Sequence, residues 1–135
     1  MRAAFQGERG AYSEEAARAL LGAGIDVLPC DTFDEVFAAV ESGACERGVV
    51  PLENSLAGSI HRNYDLLLRH NLYIVGEHNQ RISHCLIAQP GVRIEEIRRV
   101  YSHPQALAQC EGSLAGLEGV EVIAAADTAG SVRLI

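Results

Sequence analysis

Glu53, Asn54 and Ser55 close the apolar run Val49-Val50-Pro51-Leu52, and Gly58 and a new helical pattern follow. An acid, an amide and a hydroxyl in succession offer acceptors and donors without net positive charge. Such a set positions a polar small molecule rather than simply attracting one. Buried strands stop this way where their carboxyl-terminal edge opens into a ligand cleft. Three further turns carry comparable groups. Gly7-Glu8-Arg9-Gly10-Ala11-Tyr12-Ser13 follows an apolar run and opens a helix, where glycines let backbone N–H groups approach an anion. It lacks the GxGxxG spacing and any following Lys-Ser or Lys-Thr, and taken alone it reads better as a plain strand-to-helix turn. In Ser102-His103-Pro104-Gln105, Pro104 suits a first helical position and holds His103 out of helical geometry. Ser102 and Gln105 then face a cleft with a helix dipole behind them, or belong to an ordinary capped helix with a surface histidine. Asp127-Thr128 is either a bare cap or a turn that presents the Thr128 hydroxyl to a ligand.

Other reactive side chains offer less. His61, His70 and His78 form no paired-ligand spacing. Cys30, Cys45, Cys85 and Cys110 lie too far apart in sequence for a metal motif, so no metal site is expected. The cysteines read as core thiols of a reducing compartment. Cys85 follows His84 directly, but neighbours on a strand point to opposite faces and do not pair.

These turns need strands and helices to hold them. Strand patterns cover Arg2–Gln6, Asp26–Cys30, Gly48–Leu52, Tyr73–Val75, Ser83–Ala88, Arg99–Ser102 and Val120–Ala125. Helical patterns cover Ser13–Leu21, Phe33–Ser42, Ser59–His70 and Pro104–Leu114, with another beginning near Thr128. Asp31 or Thr32 serves as cap to the second. The alternation predicts an α/β fold with largely parallel strands. The rhythm changes at Asn71–Leu86, which places a lobe boundary near Gly76: residues 1–76 form a first α/β lobe and 77–135 a second, incomplete one. A cleft between such lobes is a favoured small-molecule site.

The bulk numbers set outer bounds. The 135 residues are 48% hydrophobic and 21% charged, as expected for a soluble globular chain. A net charge of −7 argues against nucleic acid as a partner. No apolar run approaches the roughly 18 residues of a membrane helix, so no membrane partner is expected. The start Met1-Arg2-Ala3-Ala4-Phe5-Gln6 turns polar too early for a signal peptide, which predicts a cytoplasmic protein. Fewer than two helical turns follow Asp127, so the chain reads as cut off inside an element.

Taken in order, Gly7–Ser13, Val50–Gly58 with Asp65-Leu66-Leu67, His84–Pro90, Ser102–Cys110 and Asp127–Ala129 resemble the prephenate dehydratase family. The plant-type arogenate dehydratases are particularly similar across Glu53–His70 and Ser102–Cys110. The resemblance implies a two-lobed catalytic domain like the type 2 periplasmic binding proteins, C-terminally incomplete here, that works without cofactor or metal. It implies conversion of prephenate to phenylpyruvate, carbon dioxide and water in phenylalanine biosynthesis, in a homo-oligomer that often carries an ACT-type regulatory domain. No ACT domain is expected in this chain. Arogenate is the alternative substrate, and a non-catalytic binding module using the same cleft is the alternative of another class. By the match, Asn54, Ser55, Ser102, Gln105 and Thr128 face substrate, with Glu53, His103, Gly10, Tyr12 and Ser13 in support. The family's general acid is the threonine of a Thr-Arg-Phe segment, which occurs nowhere in these 135 residues. The catalytic residue is therefore unassigned, and little or no activity is expected from the chain alone.

Overall fold

Ala3, Ala4 and Phe5 are fully buried in the computed structural model, which describes residues 1–135. Three consecutive buried residues need cover on both faces, the condition of a central parallel strand. They belong to β1 (Arg2–Gln6), which lies between β2 (Asp26–Cys30) and β3 (Arg47–Val49) in a parallel sheet. Phe5 stands opposite Pro29 on one side and Val49 on the other. Proline is tolerated in β2 because that strand forms the sheet's edge. Helices α1 (Tyr12–Leu21) and α2 (Phe33–Glu41) connect the strands and bury Ala16 and Ala17, and Val36 and Phe37, respectively. A Cβ on Gly48 would lie 3.1 Å from both Val36 Cγ1 and Val40 Cγ2, so glycine there lets α2 close onto β3.

The α2 cap works in both directions. Thr32 Oγ1 accepts from the Glu35 N–H at 3.2 Å, and the Glu35 carboxylate accepts from the Asp31 N–H at 2.9 Å. Of the two residues the sequence offered, Thr32 is the cap. After β3 the chain forms a short antiparallel pair, β4 (Glu53–Asn54) with β5 (Gly58–Ser59), and enters α3 (His61–Arg69).

The chain divides into two compact units, Met1–Arg81 and Ile82–Ile135. In the second, a 3₁₀ turn at Ile94–Glu96 leads into β6 (Arg99–Ser102), α4 (Pro104–Gln109), α5 (Glu111–Ala115), β7 (Glu121–Ala124) and α6 (Thr128–Leu134). β6 and β7 pair in parallel, with Ser102 opposite Ala124. Each unit is therefore mixed α/β with parallel strands, as expected.

Four expectations need correction. The strand expected over Gly48–Leu52 ends at Val49, because Pro51 has no N–H to give a ladder. The helix expected from Ser59 starts at His61, since Gly58 and Ser59 pair with Glu53 and Asn54. Tyr73–Val75 and Ser83–Ala88 have strand-like composition yet join no sheet, and Tyr73 is 83% exposed. A strand needs a partner as well as a propensity. Pro104–Leu114 breaks at Cys110, whose ψ of 6° leaves the helical region and separates α4 from α5.

Several carboxylates are held below their ordinary range: Glu14 by the Gly10 N–H and then Arg18, Asp34 by Arg62, Glu41 by His70, and Glu46 by the Arg2 N–H. A folded-state pKa below the unfolded one stabilises the fold above the unfolded value, and that stability is lost as pH falls through the folded value. These groups therefore give a melting temperature that holds between about pH 7 and 5 and falls below about pH 4. Thermal melts followed by circular dichroism check this; a melting temperature unchanged down to about pH 2 would refute it.

Candidate functional site

In a parallel pair, ligands gather at the carboxyl-terminal edge, where strands hand over to helix N-termini. Ser102 is the last residue of β6, and Thr128 is the first of α6, shortly after β7 ends. Their hydroxyl oxygens stand 3.4 Å apart. That exceeds the 2.5–3.0 Å of a good O–H···O bond. The two hydroxyls are thus neighbours aimed at common space more than a bonded pair, and both keep capacity for a third oxygen. The structure brings these two sequence candidates together across 26 residues of chain.

Local capping fixes both. His103 is extended at φ −61°, ψ 140°, and its Nδ1 accepts from the Gln105 N–H at 3.1 Å, with Pro104 in the first helical position. His103 is therefore the α4 cap, and Nδ1 as acceptor puts the neutral ring's proton on Nε2. Asp127 caps α6 by accepting from the Gly130 N–H, while Ser131 Oγ donates to the Asp127 carbonyl at 2.7 Å. A Cβ on Gly130 would stand 2.6 Å from Asp127 Oδ2. Asp127→Ala and Gly130→Ala should therefore each release the cap and cost about 1 kcal/mol. Urea unfolding measures it; a Gly130→Ala chain as stable as wild type would show that the cap tolerates the methyl.

Gln109 was not among the residues singled out from sequence. Its Oε1 lies 2.8 Å from His84 Nε2, joining the end of α4 to the segment that precedes β6. The signal was present: Gln105 and Gln109 are four apart, on one face of a helix. A groove of about 600 Å³ lined by Ile94, Glu95, Arg98, Leu117 and Val120 lies at the other end of this pair. Its residues precede β6 and β7, and it contains none of the candidates.

In the first unit, Asn54 Oδ1 accepts from the Leu56 and Ala57 N–H groups at 2.9 and 3.2 Å. The amide oxygen is committed to folding the turn, and Nδ2 is the group left to donate. Glu53 and Ser55 beside it are exposed. The Ile60 N–H donates to the Leu52 carbonyl at 2.9 Å and ties the base of the turn. The Gly7–Ser13 turn is differently disposed. The Gly10 N–H donates to the Glu14 carboxylate at 2.8 Å, and Arg18 holds that carboxylate at 2.7 Å. A protein carboxylate already occupies the place where a bound anion would sit. Ala11 precedes the first helical residue, Tyr12, and Ser13 lies inside the helix. Nowhere do three His, Cys, Asp or Glu side chains converge in an arrangement that would hold a metal ion. Burial raises the Cys30 and Cys45 thiols, which suits core packing and opposes thiolate chemistry.

Parallel strands whose carboxyl ends hand over to helix-capped polar turns place the chain among the α/β proteins. Residues 3–135 match the family model for prephenate dehydratase, and the chain belongs to that family. It is 56% identical over 135 residues to arogenate dehydratase/prephenate dehydratase 2, chloroplastic, of Arabidopsis thaliana, covering all of this chain and 35% of that one. Its fold is similar to that of GqqA, described as a novel type of quorum quenching acylase, with a TM-score of 0.88 and 41% identity over all of this chain and 49% of that one. It is also similar to a prephenate dehydratase from Arthrobacter aurescens in complex with L-Phe, with a TM-score of 0.81, 26% identity, and 98% and 45% coverage. The chain thus spans about a third of the curated relative's length and about half of the solved chains.

The expectation of a cytoplasmic protein is overturned, because the Arabidopsis relative is named as a chloroplastic enzyme. The inference failed for a simple reason. A polar start describes only the stretch at hand, and composition carries no organelle address. No helix is long and apolar enough to cross a membrane.

Proposed function

We propose that this chain forms the substrate-holding part of a dehydratase that converts prephenate to phenylpyruvate, with arogenate as the alternative substrate. The observation that carries the reading is the pairing of Ser102 and Thr128 hydroxyls at the carboxyl edge of β6 and β7. In the reaction, the ring carboxylate leaves as carbon dioxide and its bonding electrons complete the aromatic ring. The C–O bond to the ring hydroxyl breaks, and a proton delivered to that oxygen lets it leave as water. Aromatisation drives the step, so the protein's task is orientation and proton delivery. Neutral hydroxyl and amide donors suit the first task. A bidentate arginine on the departing carboxylate would stabilise the ground state against loss of neutral carbon dioxide. Asn54, Ser55, Ser102, Gln105 and Thr128 are the proposed donors, with Glu53, His103, Gly10, Tyr12 and Ser13 supporting them. The proton donor stays unassigned, since no Thr-Arg-Phe occurs in these residues.

The two-lobed reading, with a first lobe over 1–76 and a second over 77–135, belongs to the same proposal. So does assembly into a homo-oligomer, which the exposed Tyr73, Ile74, Val75, Leu86 and Ile87 favour. The 135-residue chain is expected to turn over prephenate little faster than the spontaneous reaction. Phenylpyruvate absorbance in alkali, with arogenate run in parallel, measures this. Turnover well above background would show that a proton donor is present after all.

A further inference from the structure

We propose that Asn63 is a positioning residue for the Glu53-Asn54-Ser55 turn, acting through the Pro51 carbonyl. Asn63 lies on α3 and is fully buried. Its Nδ2 donates to the Pro51 carbonyl at 2.7 Å, while its Oδ1 is buried with no donor in reach. An unsatisfied buried oxygen costs stability and offsets much of what the bond to the Pro51 carbonyl contributes. The amide therefore does not serve stability alone; what it adds is the fixed position of one carbonyl.

That carbonyl is a sensitive place. Pro51 has no N–H, so its oxygen is the only backbone group by which this residue can be tied. Besides the β4–β5 ladder, three ties hold the chain between β3 and α3: Asn63 on Pro51, the Ile60 N–H on Leu52, and Asn54 Oδ1 on the Leu56 and Ala57 N–H groups. The Asn63 tie comes from outside the turn. It is also nearest to β3. α3 is itself braced against α2 near both ends, by Arg62 with Asp34 and by His70 Nδ1 with Glu41 Oε2 at 2.7 Å. The Phe37 and His70 rings pack with centroids 5.4 Å apart beside the second brace. Asn63 thus carries the position of a braced helix to the turn that holds Asn54. The consequence for substrate rests on the dehydratase reading; the effect on the turn does not.

The test uses this 135-residue chain as wild type, Asn63→Leu and Asn63→Asp. Amide hydrogen exchange at Leu56 and Ala57, melting temperature and prephenate binding by calorimetry are measured together. Asn63→Leu should stay folded, with a melting temperature within about 5 °C of wild type. Its Leu56 and Ala57 amides should exchange about tenfold faster, and its prephenate dissociation constant should rise about tenfold. In Asn63→Asp, burial favours the protonated carboxyl, which can donate to Pro51 as the amide does. Protection should return at low pH and fade as the carboxyl ionises, a pH dependence absent from wild type and from Asn63→Leu. A purely structural residue would lower the melting temperature without that titration. Unchanged exchange at Leu56 and Ala57 in folded Asn63→Leu, or no titration in Asn63→Asp, overturns the proposal. Faster exchange in a chain whose wild type binds no prephenate supports the positioning role and refutes instead the proposal that these residues hold substrate.

Discussion

Asn54→Asp is expected to keep the fold and lose about 10²–10³-fold in kcat/KM. The assay vehicle is the Arabidopsis relative with its matching 135 residues replaced by this chain, a graft between sequences 56% identical. The Asn54 oxygen holds the turn by accepting from Leu56 and Ala57, and an aspartate supplies the same acceptor at the same place. Charge on that acceptor strengthens the two bonds, so the melting temperature should hold or rise. What vanishes is the Nδ2 donor, and what replaces it is a negative charge that, on the proposed function, faces a dicarboxylate. Both changes oppose binding and orientation. Asn54→Ala loses the turn acceptor as well and should also melt earlier. Steady-state kinetics beside thermal melts separate the two variants. Wild-type kcat/KM in Asn54→Asp would remove Asn54 from the site.

Ser102→Ala and Thr128→Val should each lower kcat/KM by about 10- to 100-fold in the same graft, the worth of one hydrogen bond to a charged oxygen. The double variant should lose less than the product of the two. At 3.4 Å the hydroxyls are too far apart to satisfy one another, yet close enough to meet the same carboxylate. Once one donor is gone the carboxylate shifts, and the other loses part of its effect, so a double-mutant cycle should show coupling. Full additivity would mean that the two hydroxyls meet different groups. Unchanged kinetics in both single variants would end the substrate-holding role of this edge. Neither substitution touches the Asp127 cap, so a fall in stability would point elsewhere.

Much of this was legible from residue order, for reasons that differ by element. Arg2–Gln6 and Asp26–Cys30 matched the strands because burial on both faces leaves an uninterrupted apolar run. Ser102 and Thr128 were each readable as the polar residue where a strand gives way to a helix, but their approach was not. It depends on β6 and β7 pairing in parallel with Ser102 opposite Ala124. Pairing of distant strands leaves no mark in either strand alone. Tyr73–Val75 failed for the converse reason, since its propensity was real and its partner was lacking. Asn63 went unnoticed because a polar residue among His61, Arg62 and Tyr64 looks like part of a solvated helix face. Only the packing of α3 reveals it as wholly interior. At Gly10 the sequence left the partner of the backbone N–H open, and the structure supplies it as the Glu14 carboxylate four residues on.

Pro29 limits how the first sheet can be extended. The Gly7 N–H donates to the Cys30 carbonyl, so the backbone groups of Cys30 face β1. Successive residues of a strand alternate, and those of Pro29 therefore face outward. The rim of β2 thus lacks a donor at Pro29, and a strand arriving there would leave one acceptor unmatched. The rim of β3 carries no such gap. Lateral growth of the sheet, whether by another stretch of a longer protein or by a second molecule, is directed to the side that runs into Pro51 and the Asn54 turn. One imino acid at the far rim thereby chooses which flank is open to a newcomer, and it is the flank from which the chain runs on to the Asn54 turn.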